Sequence, residues 1–173
     1  MTHFEVFGLP PSLEIDARAL EQKLRDLSLA HHPDRVIQGD ARERRIALEK
    51  TTALNDAFKV LKDPVRRAFY LLKLKGVDLE NEASTAQTKM PLEFLEEVME
   101  RREQLELARA KKDLARAQAM AAEIATMKTE AFEVATAALK RDDLLTATHQ
   151  LGRVKYYSRF LEEVEAFEEE SLS

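Results

Sequence analysis

The chain has 173 residues, 45% of them hydrophobic and 34% charged, with four glycines and no cysteine; this suits one or two small domains and excludes disulfides, thiolate metal ligation and thiol nucleophiles. Net charge is −5, yet residues 1–75 carry 14 Lys/Arg against 11 Asp/Glu while residues 76–173 carry 13 against 21, as expected of two modules with different partners or simply of differently solvated helix surfaces. Overall acidity without a basic stripe argues against nucleic acid, and the absence of an apolar run long enough for a leader or a bilayer span leads us to expect a soluble cytoplasmic protein with no membrane contact.

Abundant Ala, Leu, Glu, Lys and Arg favour helices, and no alternating run rich in Val, Ile or Thr argues for a strand. The predicted fold is all-α. A short apolar turn holds Phe4, Val6, Phe7 and Leu9. Asp16 then reads as an N-cap, and Leu20, Leu24, Leu27 and His31 mark one buried stripe of a first long helix. Pro33 disfavours helical geometry at His32 and ends it. A second helix begins near Asp40, with Ile46, Ala47, Leu54, Ala57, Phe58 and Leu61 as its inner face. It stops at Asp63-Pro64, and a shorter helix carries Ala68, Phe69, Leu71 and Leu72. Residues 1–75 thus predict a two-helix antiparallel hairpin with shorter helical pieces at both ends.

Residues 76–91 are rich in Gly, Ser, Thr, Asn and Pro and read as a linker. Residues 92–173 then predict a three-helix antiparallel bundle. Its first helix places Leu92, Leu95, Val98, Met99 and Leu105 on one side. The second carries Leu114, Ala117, Ala121, Ile124, Met127, Ala131, Val134 and Leu139. The third carries Leu144, Leu151, Val154, Tyr157, Leu161 and Val164.

The informative segment is His32-Pro33-Asp34. A proline-stiffened helix exit holds an imidazole and a carboxylate in a projecting loop, a directional hydrogen-bonding epitope that has lost part of its entropy before any partner arrives. A metal site at His31, His32 and Asp34 is not expected, because adjacent residues rarely ligate one ion and no second ligand cluster is evident. His3 and His149 are expected at the surface. Neither a hydrolase triad nor a Gly-rich phosphate loop is present, so no enzymatic activity, metal or cofactor is expected.

With its leucine-patterned approach helix, the later Leu54-Asn55-Asp56-Ala57-Phe58-Lys59-Val60-Leu61-Lys62-Asp63-Pro64, and Arg67, Ala68 and Tyr70, this tripeptide resembles the J domain. The stretch from Phe69 to Leu79 and the acidic helix Phe94–Glu103 are similar to the HscB type of J-domain co-chaperone, and that likeness covers nearly the whole chain. It implies that His32, Pro33 and Asp34, supported by Lys23, Arg25 and Arg35, dock on an ATP-bound DnaK-type chaperone, HscA in this family, and trigger hydrolysis. It also implies that Leu95, Glu96, Met99, Glu100 and Glu103, with Tyr156, bind the iron–sulfur scaffold protein IscU. The approach helix is less basic than is usual in the family, having Asp26, Ser28 and Leu29 where cations often stand. Read without the resemblance, Leu95 and Met99 fit bundle core as readily as an exposed patch, and Tyr156 fits either. Two other functions stay open: a J protein serving a different client, and a helical assembly protein whose His-Pro-Asp is incidental.

Overall fold

Helix is the regular structure throughout residues 1–81 and 89–173, which the computed structural model describes. The chain divides into two compact units, Met1–Lys75 and Gly76–Ser173.

In the first unit, α1 spans His3–Val6, α2 Ala17–Ala30, α3 Ala41–Leu61 and α4 Pro64–Leu74, with a 3-10 turn at Pro33–Val36 between α2 and α3. Each start is fixed by a side chain that accepts an otherwise unpaired backbone N–H. Thr2 and Glu5 form a capping box on α1, and Asp40 and Glu43 form one on α3. Asp16 accepts from the Ala19 N–H, and Asp63 accepts from Val65 and Arg66 ahead of α4. The core joins Phe4 and Phe7 to Leu20 of α2, Leu54, Ala57 and Leu61 of α3 and Leu71 of α4. Leu24, Leu27, Phe58 and Tyr70 pack around it. At the α3–α4 corner the buried Arg67 donates from Nη1 to the Leu61 carbonyl at 2.9 Å, satisfying an end of α3 that has no partner within the helix. Burial lowers its pKa, with Asp63 opposing.

Two expectations change here. Ile46, expected on the inner face of α3, is 41% exposed, and the buried stripe begins at Ala47. The Thr51 hydroxyl reaches the carbonyl of His31, the residue that closes α2, so Ala41–Lys50 runs past the end of α2 and faces the loop instead. His3, expected at the surface, is half-buried with its ring 4.4 Å from that of Tyr70, whose hydroxyl accepts the His3 backbone N–H at 2.9 Å. His149 is half-buried as well.

In the second unit, α5 spans Leu92–Ala110, α6 Leu114–Lys140 and α7 Leu144–Leu172. Small side chains on α6 (Ala117, Ala131, Ala135 and Ala138) meet Ala147, Leu151, Val154, Tyr157, Phe160, Val164 and Phe167 of α7 in the buried layer, and α5 adds Phe94, Leu105 and Ala108. Val134, expected on the inner stripe of α6, is 44% exposed, because the buried positions drift to Ala135 and Ala138. Part of the predicted linker is tied to this unit: Leu79 is buried and its carbonyl accepts a hydrogen bond from Lys155 Nζ. Residues 82–88 of that linker lie outside the described residues.

The two corners of the bundle are built alike. Asp113 N–H reaches the Ala108 carbonyl at 2.8 Å, and Asp143 N–H reaches Ala138 at 2.9 Å. Lys112 and Asp142 stand in the left-handed region with φ of 55° and 60°. Each aspartate then caps the next helix, accepting from Arg116 and from Thr146. This is the closure that glycine usually supplies at a helix C-terminus, here made by residues that bear a Cβ.

Lys112→Gly and Asp142→Gly are therefore expected to stabilise the bundle by about 0.5–1 kcal/mol each and to add; chemical denaturation checks this, and a loss of stability at either position would contradict the corner geometry. A second expectation concerns pH. Burial against Tyr70 holds the His3 imidazole below its ordinary value of 6.5, with Asp56 opposing and Lys73 adding to the depression. The unfolded chain then binds the proton more tightly. The resulting contribution to stability is present above pH 6.5 and is lost as pH falls through 6.5 toward the lower folded value. A thermal midpoint that falls across that window in the wild type, and falls less in His3→Gln, is the expected record.

Candidate functional site

The last hydrogen bond of α2 runs from the His31 N–H to the Leu27 carbonyl at 3.0 Å. His32 then turns extended, with φ −59° and ψ 131°, as the residue before a proline must when the helical region is closed to it. Pro33 opens the 3-10 turn, where a missing N–H costs nothing, and Arg35 N–H closes it on the His32 carbonyl at 3.0 Å. Behind the turn, Gly39 N–H bonds the Val36 carbonyl at 2.8 Å and Arg44 Nη1 bonds the Gly39 carbonyl at 2.8 Å. A Cβ on Gly39 would stand 2.3 Å from a Glu43 carboxylate oxygen and 3.0 Å from the Val36 carbonyl. A larger residue there would have to displace the Glu43 carboxylate and press on the Val36 carbonyl.

His32 Nδ1 accepts the Asp34 backbone N–H at 3.2 Å. A ring that accepts this bond carries its proton on Nε2. Asp34 Oδ2 also lies 3.4 Å from Nδ1, but that approach is an ion pair only if the ring takes up a second proton, which would forfeit the bond from the Asp34 N–H. The His32 and Asp34 side chains are 53% and 77% exposed. One donor, Nε2–H, and one acceptor, the carboxylate, are thus offered to a partner from a backbone locked by a two-residue bond.

The predicted cations divide. Arg35 is exposed in the turn and makes no ion pair or side-chain hydrogen bond among the described residues. Arg25, on α2, lies seven residues before His32, about 10 Å along the helix axis, and is 3.9 Å from Glu21 in an exposed pair. Lys23 donates to the Phe7 carbonyl at 3.3 Å and is half-buried, so part of its side chain is committed to holding the N-terminal turn. With Gln22 bonded to Asp26 as well, α2 presents a thin positive face.

On the bundle, α5 is two-sided. Phe94, Val98, Leu105 and Ala108 turn inward, and the Phe94 ring meets Tyr156 and Tyr157 edge-on at 5.5 and 5.8 Å beneath the Arg153 guanidinium. Leu92 and Met99 were expected on that same side, but they are 70% and 69% exposed. Glu96, Glu100 and Glu103 are exposed beside Met99, and Leu95 is half-buried at the edge of the stripe. Leu107, 59% exposed, continues the stripe one turn beyond Glu103. Sequence reasoning did not single out Leu92 or Leu107 as part of this exposed stripe; the available signal was that neither fits the spacing that buries Phe94, Leu105 and Ala108. Tyr156 is half-buried in the cleft between α5 and α7, which Glu97, Val98 and Arg101 also line, away from the Met99 face.

Among the described residues no group of three His, Cys, Asp or Glu side chains is placed to hold a metal ion, and no helix is long and apolar enough to cross a membrane.

Comparison with known proteins accounts for both units. Residues 2–70 match the DnaJ domain model, and residues 90–165 match the model described as the HSCB C-terminal oligomerisation domain. The Co-chaperone protein HscB homolog of Vibrio cholerae is 35% identical over 173 residues, covering 99% of each chain. The solved structure of chaperone HscB from Vibrio cholerae superposes with a TM-score of 0.79 at 32% identity, covering 98% of this chain and 99% of that one. Human co-chaperone HscB gives 0.81 at 26% identity, covering 96% and 81%. A His-Pro-Asp turn with exposed His32 and Asp34 between two packed helices, followed by a three-helix bundle of this kind, thus carries a full-length likeness, and the chain belongs to the HscB family of J-domain co-chaperones.

Proposed function

We propose that this co-chaperone stimulates ATP hydrolysis by a DnaK-type chaperone of the HscA kind and delivers to it an iron–sulfur scaffold protein of the IscU kind. The observation that carries the reading is the His32 ring, exposed and held by the Asp34 N–H so that Nε2–H and the Asp34 carboxylate face a partner together. Residues 1–75 would dock the chaperone through His32, Pro33 and Asp34, with Arg35 and Arg25 adding charge and Lys23 steadying the face. Residues 92–173 would hold the scaffold on the outward stripe of α5 (Leu95, Glu96, Met99, Glu100 and Glu103), with Tyr156 contributing from the neighbouring cleft. Residues 76–91 would connect the two.

In this reading the hydrolytic groups, the nucleotide and any cluster belong to the partners, and the site of action is the cytoplasm. The co-chaperone acts by binding the ATP-bound state of the chaperone more tightly than the competing states, because only differential affinity shifts a conformational equilibrium. Holding the scaffold on the same chain raises its effective concentration at the chaperone without any new contact. The thin positive face of α2 fits a dedicated partner better than long-range steering toward a general one.

His32→Gln removes the ring that accepts the Asp34 N–H and should cut maximal stimulation of the cognate chaperone by about tenfold or more, the equivalent of removing one charge-assisted hydrogen bond, while the melting temperature stays near wild type. Stimulation that survives the substitution would show that the turn is not the docking element. For the second partner, the Leu95→Ala, Met99→Ala double variant should weaken scaffold binding by about tenfold, since each truncated side chain gives up apolar burial worth on the order of 1 kcal/mol. Calorimetric titration of the scaffold measures this; an unchanged Kd would remove the α5 stripe from the reading and leave the chaperone-docking turn standing.

A further inference from the structure

Because Ala41–Lys50 runs past the end of α2, a groove of about 240 Å³ opens between the His-Pro-Asp turn and the first turns of α3. Its walls combine two chemistries. Val36, Ile46 and Ala47 supply an apolar floor, and His32, Arg35 and Lys50 supply polar and cationic rims. Ile46 is 41% exposed, an unusual amount for an isoleucine facing a concave surface. Neither Arg35 nor Lys50 makes an ion pair or side-chain hydrogen bond among the described residues. The carboxylate in the groove, Glu43, is already engaged: it accepts the Asp40 N–H at 3.2 Å in the capping box of α3.

Taking the proposed docking of a DnaK-type chaperone as given, we infer that this groove receives a segment of the ATP-bound chaperone bearing a carboxylate next to a branched aliphatic side chain, and that Ile46 and Lys50 set affinity for that segment. The groove is continuous with the docking turn, since His32 and Arg35 of that turn line it. Its chemistry selects the occupant: two cations without internal partners attract an anion, and an apolar floor half open to water gains from covering by an aliphatic group. It also supplies what α2 lacks. Lys23 is engaged by the Phe7 carbonyl and Arg25 by Glu21, so the free positive charge nearest His32 stands on the turn and on α3.

The test is single-turnover ATP hydrolysis by the cognate chaperone at rising concentrations of the full chain. Ile46→Asp and Lys50→Glu should each raise the half-maximal concentration about tenfold, as expected for removal of a central apolar anchor or reversal of a facing charge, without lowering the plateau. Added salt should shrink the Lys50→Glu effect, Lys50→Arg should remain near wild type, and Leu48→Asp should change nothing. Leu48 is an apolar residue of the same helix, 60% exposed and outside the groove. Lys50 is exposed, so its variants report on binding even if Ile46→Asp loosens the fold. Curves for Lys50→Glu and a folded Ile46→Asp that superimpose on wild type would overturn the groove while leaving the turn intact. An equal shift from Leu48→Asp would overturn it too. Absence of stimulation by the wild type would instead overturn the docking reading on which the groove rests.

Discussion

One local hydrogen bond organises the His-Pro-Asp turn of this molecule: the Asp34 backbone N–H donated to His32 Nδ1. A ring held by this bond carries its proton on Nε2, the nitrogen that faces away from the bond. The bond exists because Pro33 denies His32 a helical conformation and starts a 3-10 turn that places the Asp34 N–H over the ring. That turn is held from behind by Gly39, Arg44 and Val36. A partner meeting this corner finds a donor and an acceptor whose relative positions have already been decided, so little ordering entropy is left to lose on docking.

The helical hairpin was legible because its boundaries are marked by residues with local mechanisms. Asp16 caps α2 as its place in the sequence suggests, Asp40 and Asp63 stand at the boundaries expected for α3 and cap the helices that follow, and Pro33 and Pro64 stand at first-turn positions. What the sequence hid depended on residues far away. His3 is half-buried because Tyr70 returns to it across 67 positions, and no local pattern announces that. Ile46 fits the apolar period of α3, but α2 ends level with Thr51 and leaves it uncovered.

The bundle shows a different limit. α5 carries apolar side chains on both faces, so spacing alone admitted Leu92 and Met99 to the same side as Leu105. The aromatic cluster of Phe94, Tyr156 and Tyr157 under Arg153 decides between the faces, anchoring one inward and leaving Met99 among the glutamates. The corners at Lys112 and Asp142 escaped notice for a related reason. No glycine marks them, although both adopt the conformation glycine favours. The candidate site was therefore legible at the turn, where the determinants are local, and less so on the bundle, where they are tertiary.

A nitrogen-resolved imidazole spectrum of the full chain, recorded without and then with the ATP-bound chaperone, tests the central claim most directly. The account predicts that His32 carries its proton on Nε2 in the free protein, and that the Nε2 resonance moves on binding while Nδ1 keeps the signature of an acceptor. A ring protonated at Nδ1 in the free protein, or an Nε2 resonance indifferent to the bound chaperone, would contradict it.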